Sequence, residues 1–319
     1  MTMDFILTPR RALLRAGLAL PAVVAGARAH AADRVFRVGY QKASVALTLL
    51  KAQGLLEQRL KPLGYTVDWA IFTSGPPILE ALNAGAVDFA FTGEPPPIFA
   101  QAAGVPLVYA AATQPSPRSV AILTEPGSTF KSVADLRGKK VAVAKGSSAH
   151  YLLVAAIQHA GLHYSDIQPV YLQPADGRTA LQSGSVDAWS IWDPFLAAAQ
   201  VAGATVLTDG TGLMPNRAFY LSSRPFALQN APALAAAVSA VKEIEAWEPA
   251  HIEEIAGDMS RTTGIPPAIL KVWFTRQKYG VVPVSPAIIG DQQHIADAFV
   301  ALHLIPQSID VARAVLSGA

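Results

Sequence analysis

The sequence predicts an α/β protein of two lobes with a cleft and a hinge between them. Three observations carry this. Strand-like and helix-like segments alternate in two successive series, a proline-rich piece divides the series, and the last third reads as helices.

Residues 1–31 stand apart as a signal peptide. Arg10, Arg11 and Arg15 accompany an apolar stretch from Ala12 to Ala25, and Ala29-His30-Ala31 offers a small-residue cleavage site. Cleavage there leaves Ala32 or Asp33 first, and Ala27-Arg28-Ala29 is an alternative site. Pro9-Arg10-Arg11-Ala12-Leu13-Leu14 also fits a loose twin-arginine signal, so both that export route and the ordinary secretory one are open. Gly17 and Pro21 interrupt the stretch, which is too short for a comfortable membrane span. The expected destination is a bacterial periplasm.

The formal charge of +2 is largely the signal's. Removing its four Arg and one Asp from 25 basic and 23 acidic residues leaves 21 against 22. That balance gives no support to a nucleic-acid face. Cysteine is absent, which excludes disulfides, thiol chemistry and a lipid-modified cysteine after the signal. About 290 residues remain, enough for two lobes of ordinary size.

The first series has strands at Val35–Gly39, Thr66–Phe72, Phe89–Phe91 and Leu107–Ala111, with helices at Ala46–Leu60, Pro77–Asn83 and Pro96–Ala102 between them. The second has strands at Val120–Leu123, Val141–Ala144, Val170–Leu172, Ala188–Ile191 and Val206–Thr208. Such alternation implies a mostly parallel sheet in each lobe. Gln114-Pro115-Ser116-Pro117 is the expected hinge. After a strand at Phe219–Ser222 the chain is helical through Ala233–Trp247, Pro267–Thr275 and Pro286–Leu302. Lobe I is therefore expected at 32–117 and 215–319, and lobe II at 118–214.

In open α/β sheets ligands bind beyond the carboxyl ends of the strands. Three turns there share one design, each following a strand and opening a helix: Thr73-Ser74-Gly75-Pro76-Pro77, Thr92-Gly93-Glu94-Pro95-Pro96-Pro97, and Gly146-Ser147-Ser148-Ala149-His150. A helix N-terminus carries roughly half a positive charge, so such turns suit an anion. Serine and threonine at these positions are also ordinary helix caps, each contributing about 1 kcal/mol. Two further constellations compete. Ser148, His150 and Asp193 have the composition of a catalytic triad, but Ser148 and His150 diverge at a helix start and no Gly-x-Ser-x-Gly elbow is present. His159 and His163 are four apart, but Gly161 breaks the helix between them and no third metal ligand is near in sequence.

Several stretches together resemble the periplasmic aliphatic-sulfonate-binding components of ABC transporters, relatives of taurine- and nitrate-binding proteins. They are Gly39-Tyr40-Gln41-Lys42, Gly75-Pro76 with Leu79–Gly85, Thr92–Gly104, Val133–His150, Asp166–Asp176 and Val186–Pro194. One departure is Glu94, where such proteins often carry aspartate. The resemblance implies a two-lobed type II periplasmic binding protein fold, delivery of ligand to a membrane permease, no cofactor and no chemistry on the ligand. A monomer suits that role.

A sulfonate is a singly charged acceptor, to be held by donors: Gln41, Ser74, Thr92, Ser119, Ser147, Ser148 and backbone N–H groups near Gly75, Gly93 and Gly146. The third turn also brings His150. Trp192 and Tyr220, with Phe219 behind them, are expected to wall the carbon chain, and Trp189 and Phe195 to be core. Glu94 either fixes donors or repels a second negative charge and so excludes phosphate esters; the second account is preferred here. Asp193 is a helix cap or a binding or hinge residue. Asp176 and Arg178 are expected to pair at the cleft rim. A taurine site would need Glu94 or Asp193 to accept its ammonium, whereas nitrate would leave the aromatic walls uncovered.

Overall fold

A computed structural model describes residues 34–316; the expected signal peptide and its two candidate cleavage sites lie outside the described residues. The chain begins with β1 (Arg34–Gln41), α1 (Val45–Gln53) and α2 (Leu55–Leu60). The single helix expected over Ala46–Leu60 is two, because Gly54 adopts φ 64°, a left-handed conformation that closes α1. Then follow β2 (Tyr65–Phe72), α3 (Gly75–Asn83), β3 (Phe89–Gly93), α4 (Pro95–Ala102) and β4 (Leu107–Thr113). The second series is β5 (Val120–Thr124), β6 (Lys140–Val143), α5 (Ser148–His159), β7 (Gln168–Tyr171), α6 (Pro174–Gln182), β8 (Ala188–Trp192), α7 (Phe195–Val201) and β9 (Thr205–Asp209). The chain returns through β10 (Ala218–Ser223), α8 (Arg224–Gln229), α9 (Ala231–Trp247), α10 (Ile252–Thr263), α11 (Pro267–Phe274), β11 (Val281–Val282) and α12 (Pro286–Ala301). Helices α8 and α10 and the short β11 are additions to the sequence reading.

Two sheets result, in the orders β11-β4-β10-β3-β1-β2 and β7-β6-β8-β5-β9. They are mixed, not mostly parallel. Strand β1 runs parallel to β2 and β3, but β10 lies antiparallel between β3 and β4. In the second sheet β5 is antiparallel to both β8 and β9. The crossing dictates this. The chain leaves the first sheet at the carboxyl end of β4 and re-enters beside the carboxyl end of β3, where Ala218 pairs with Gly93. It can only run back against its neighbours.

The first sheet is covered on one face by α1, α2, α9 and α10 around Phe36, Phe89 and Tyr220, all fully buried. Burying a side chain of that size contributes about 1.5–3 kcal/mol. Another apolar cluster runs continuously from α3 and α4 to α5 and β6, and so joins the two sheets' layers. Trp189 is core as expected; Phe195 is half-buried. Asp176 and Arg178 make no ion pair among the described residues, because positions two apart on α6 face different ways. No helix among the described residues is long and apolar enough to cross a membrane.

Candidate functional site

The carboxyl ends of β1, β3 and β8 and the start of β10 converge on a cavity of about 120 Å³. Two helices open onto it from opposite sheets. Helix α1 begins Ser44-Val45-Ala46, with Ser44 accepting from the Leu47 N–H as its cap. Helix α5 begins at Ser148, capped by Ser147, whose hydroxyl accepts from the His150 N–H and donates to the Ala144 carbonyl at 2.6 Å. Ser44, Val45, Ala46, Ser147 and Ser148 all line the cavity. The first backbone N–H groups of each helix have no intrahelical partner, so two positive helix ends face one space.

The other two turns contribute differently from expectation. Proline has no N–H, and the first turn of α4 is Pro95-Pro96-Pro97, while α3 opens Gly75-Pro76-Pro77. These helix starts are nearly bare of donors. What they provide is close approach. A Cβ on Gly75 would stand 2.5 Å from Pro96 Cγ, and one on Gly93 would stand 2.1 Å from Ser148 Oγ. Gly93 therefore lets the first sheet's edge touch the start of α5.

Gln41, Gly75, Gly93, Ser119, Ser147, Ser148, Trp192, Asp193 and Tyr220 line the cavity; Ser74, Thr92, Glu94, Gly146 and His150 do not. Ser74 is buried with its hydroxyl unpartnered, and Thr92 Oγ1 donates to the carbonyl of Gly93. Gly146 lines a second cavity of about 330 Å³ with Leu79, Phe99 and Ala100 of α3 and α4. That space is larger but mostly apolar-walled, and the donors converge on the smaller one. His150 is fully buried. Its Nδ1 accepts from the Gly146 N–H at 3.1 Å and its Nε2 meets the Tyr164 hydroxyl at 2.9 Å. Burial lowers its pKa to about 4, so it is neutral and braces the turn. With both nitrogens engaged there, no hydrogen bond joins it to Ser148, and no triad forms.

Glu94 is buried behind the cavity, with Oε2 lacking a partner. Burial pushes its pKa up to about 8, against the pull of the Arg217 backbone amide and guanidinium and of the Asn216 amide. A carboxyl that is neutral at pH 7 and off the cavity wall does not repel a second ligand charge. Its place beside the Asn216 and Arg217 amides fits the other account, an acceptor that fixes the returning chain. Asp193 is committed as well. It accepts from Ala197 N–H at 2.9 Å and from Arg276 Nη1 at 2.9 and 3.0 Å, with Arg276 also held by Gln200. Burial raises its pKa to about 6 despite Arg276.

Trp192 stands on the wall and Trp273 of α11 with it. Tyr220 reaches the cavity, but its hydroxyl donates to Glu245 at 2.6 Å and its ring stacks on Phe89. Phe219 points into the layer below, beside Tyr109. The polar and aromatic lining residues missed by sequence reasoning include Ser44, Thr113, Ser116, Asn216, Arg217, Glu245, Trp273, Gln277 and Lys278. Thr113, Ser116, Asn216 and Arg217 sit where the chain crosses between the sheets. There Asn216, at φ 50°, donates through Nδ2 to the Ser116 carbonyl, and Ser116 Oγ accepts from Lys278 N–H. Pro215-Asn216 was the available signal, a turn pair just before an apolar strand.

A protein family described as NMT1/THI5 like matches residues 72–246. The chain is 42% identical over 285 residues, 89% of each chain, to a putative aliphatic sulfonates-binding protein of Escherichia coli (strain K12). Among solved structures it is similar to the periplasmic aliphatic sulphonate binding protein of Escherichia coli, with TM-score 0.81 and 41% identity over 88% of this chain and 96% of that one. It is also similar to the alkanesulfonate-binding protein of Xanthomonas axonopodis pv. citri bound to MOPS. There the TM-score is 0.84 and the identity 39%, over 88% of this chain and 98% of the other.

Proposed function

The chain belongs to the NMT1/THI5-like family, and from that premise we propose that it captures alkanesulfonates in its cleft and hands them to an ABC permease. The lobes of this reading are 32–117 with 215–319, and 118–214. It acts as a monomer in the periplasm and performs no chemistry on its ligand.

The observation that carries the proposal is the meeting of two helix N-termini, α1 and α5, over a small cavity walled by Trp192 and Trp273. Helix-end amides and the Ser148 hydroxyl suit a weakly hydrated monoanion, and the indoles suit an alkyl chain. A sulfonate of about six heavy atoms has a ceiling near −9 kcal/mol at roughly −1.5 per atom, which permits sub-micromolar affinity. Closure around it excludes water and strengthens each polar contact.

Taurine is the second reading, favoured by one observation: two carboxyls line the cavity, Glu245 beside Tyr220 and Gly280 and Asp193 beside Arg276, and an ammonium would share one of these acceptors. Titration calorimetry of the mature protein with ethane- and butanesulfonate, taurine, nitrate, sulfate and phosphate tests both. Micromolar or tighter binding of alkanesulfonates, with no heat from phosphate, is the expected result. Binding of taurine alone moves the substrate, and silence with every sulfonate overturns the reading.

A further inference from the structure

Resting on the sulfonate reading above, we propose that Arg217 is the cation that pairs with the ligand's anionic head group and sets the site's preference for anions. Its guanidinium is only partly used by the protein. Nη2 reaches Asp291 Oδ2 at 3.4 Å, a long contact to a carboxylate 44% exposed, and this is the side chain's one hydrogen bond among the described residues. Nε is buried and has no partner. The side chain itself is 16% exposed and lines the cavity. A charged donor left short of acceptors, beside a cavity into which two helix N-termini open, is a position that an incoming anion completes.

The neighbours keep that charge available. Glu94, a buried carboxyl that makes no hydrogen bond to the guanidinium, is raised to about 8 chiefly by burial and does not claim it as a partner anion at neutral pH. Asp291 lies on α12 in solvent, where a single exposed ion pair is weak. The planar fork of arginine meets two oxygens of a tetrahedral anion at once, which a lysine does not. Arg217 immediately precedes β10 and reaches Asp291 of α12, whereas Tyr220, within β10, reaches Glu245 of α9. Arg217 thus stands on the α12 side of the cavity, apart from Glu245 on the α9 side; Lys278 and Asp193 also line it.

The test is calorimetric titration of ethanesulfonate into wild type, Arg217→Gln, Arg217→Lys and Asp291→Asn, with the unliganded melting temperature of each. Losing a buried charged partner is expected to weaken binding at least about 30-fold in Arg217→Gln. Arg217→Lys keeps the charge without the fork and should fall between. Asp291→Asn removes the competing charge and should bind ethanesulfonate at least about threefold more tightly than wild type, an effect that a merely structural arginine would not produce; unchanged affinity there counts against the assignment. If Arg217→Gln fails to fold, the lysine and Asp291 variants decide. Unchanged affinity in the arginine variants, with wild type binding, overturns this assignment alone. Silence of wild type overturns the sulfonate reading and this assignment with it.

Discussion

Single residues decide how closely the edges of the two sheets can approach. Gly93 has no room for a methyl group, since Ser148 Oγ would stand 2.1 Å from it. Gly93→Ala is therefore expected to lower ligand affinity at least about tenfold while moving the unliganded melting temperature little, because the clash falls on a contact between the sheets' edges and not in a core. Calorimetry together with thermal melts checks both halves. Asp193 and Arg276 form the most buried ion pair among the described residues, at 1% and 9% side-chain exposure. Asp193→Asn leaves Arg276 buried without its anion and should cost about 3 kcal/mol of unfolding free energy in a urea titration. Substituting an exposed acid such as Glu253, paired with Lys271 in solvent, should cost less than about 1 kcal/mol.

At the scale of elements, the prolines sort the helix starts into two kinds. Helices α3 and α4 use proline to fix their first turns and so give up the N–H groups an anion would need. Helices α1 and α5 keep theirs under serine caps. The α5 turn is braced twice, by the Ser147 cap and by His150 accepting from Gly146. Ser147→Ala should destabilise the protein by about 1 kcal/mol through the lost cap. It should also weaken ligand binding, because the amides at the helix start are no longer held in one direction. A parallel measurement of melting temperature and affinity separates the two effects. Proline's missing donor was legible in the sequence. The contribution of α1 was not, because Ser44 follows a strand and a short turn with no glycine or proline to mark it.

The whole molecule carries its buried acids as a pH response. Burial raises Glu94 to about 8, Glu245 to about 7 and Asp193 to about 6, and it holds Glu248 well above the usual range. A carboxyl raised on folding holds a proton that the unfolded chain has already lost. Its stabilising contribution is fully present below the unfolded value near 4.5 and is lost as pH rises through the folded one. Melting temperature should therefore decline between about pH 5 and pH 8, and Glu94→Gln should flatten the upper part of that decline. A flat wild-type profile would show these groups to be ionised in the folded protein.

The sequence by itself determined the two α/β series and the turns that open their helices, because periodicity, turn residues and proline are local signals. Gln41, Gly93, Ser148 and Trp192 were identifiable because each ends a strand or opens a helix, and in an α/β layout such positions share one edge. Tertiary structure alone decided the rest. The antiparallel return of β10 follows from where the chain re-enters the sheet, and no local pattern encodes that. Asn216, Arg217, Glu245 and Trp273 join a cavity whose first lining residue is Gln41, more than 170 positions earlier in the chain. Glu94 shows the same limit: its motif marked it as a ligand contact, and burial behind the returning strand made it neutral and turned it towards the backbone. Spacing along a chain reports what one element can present, whereas burial and charge state depend on everything packed around it.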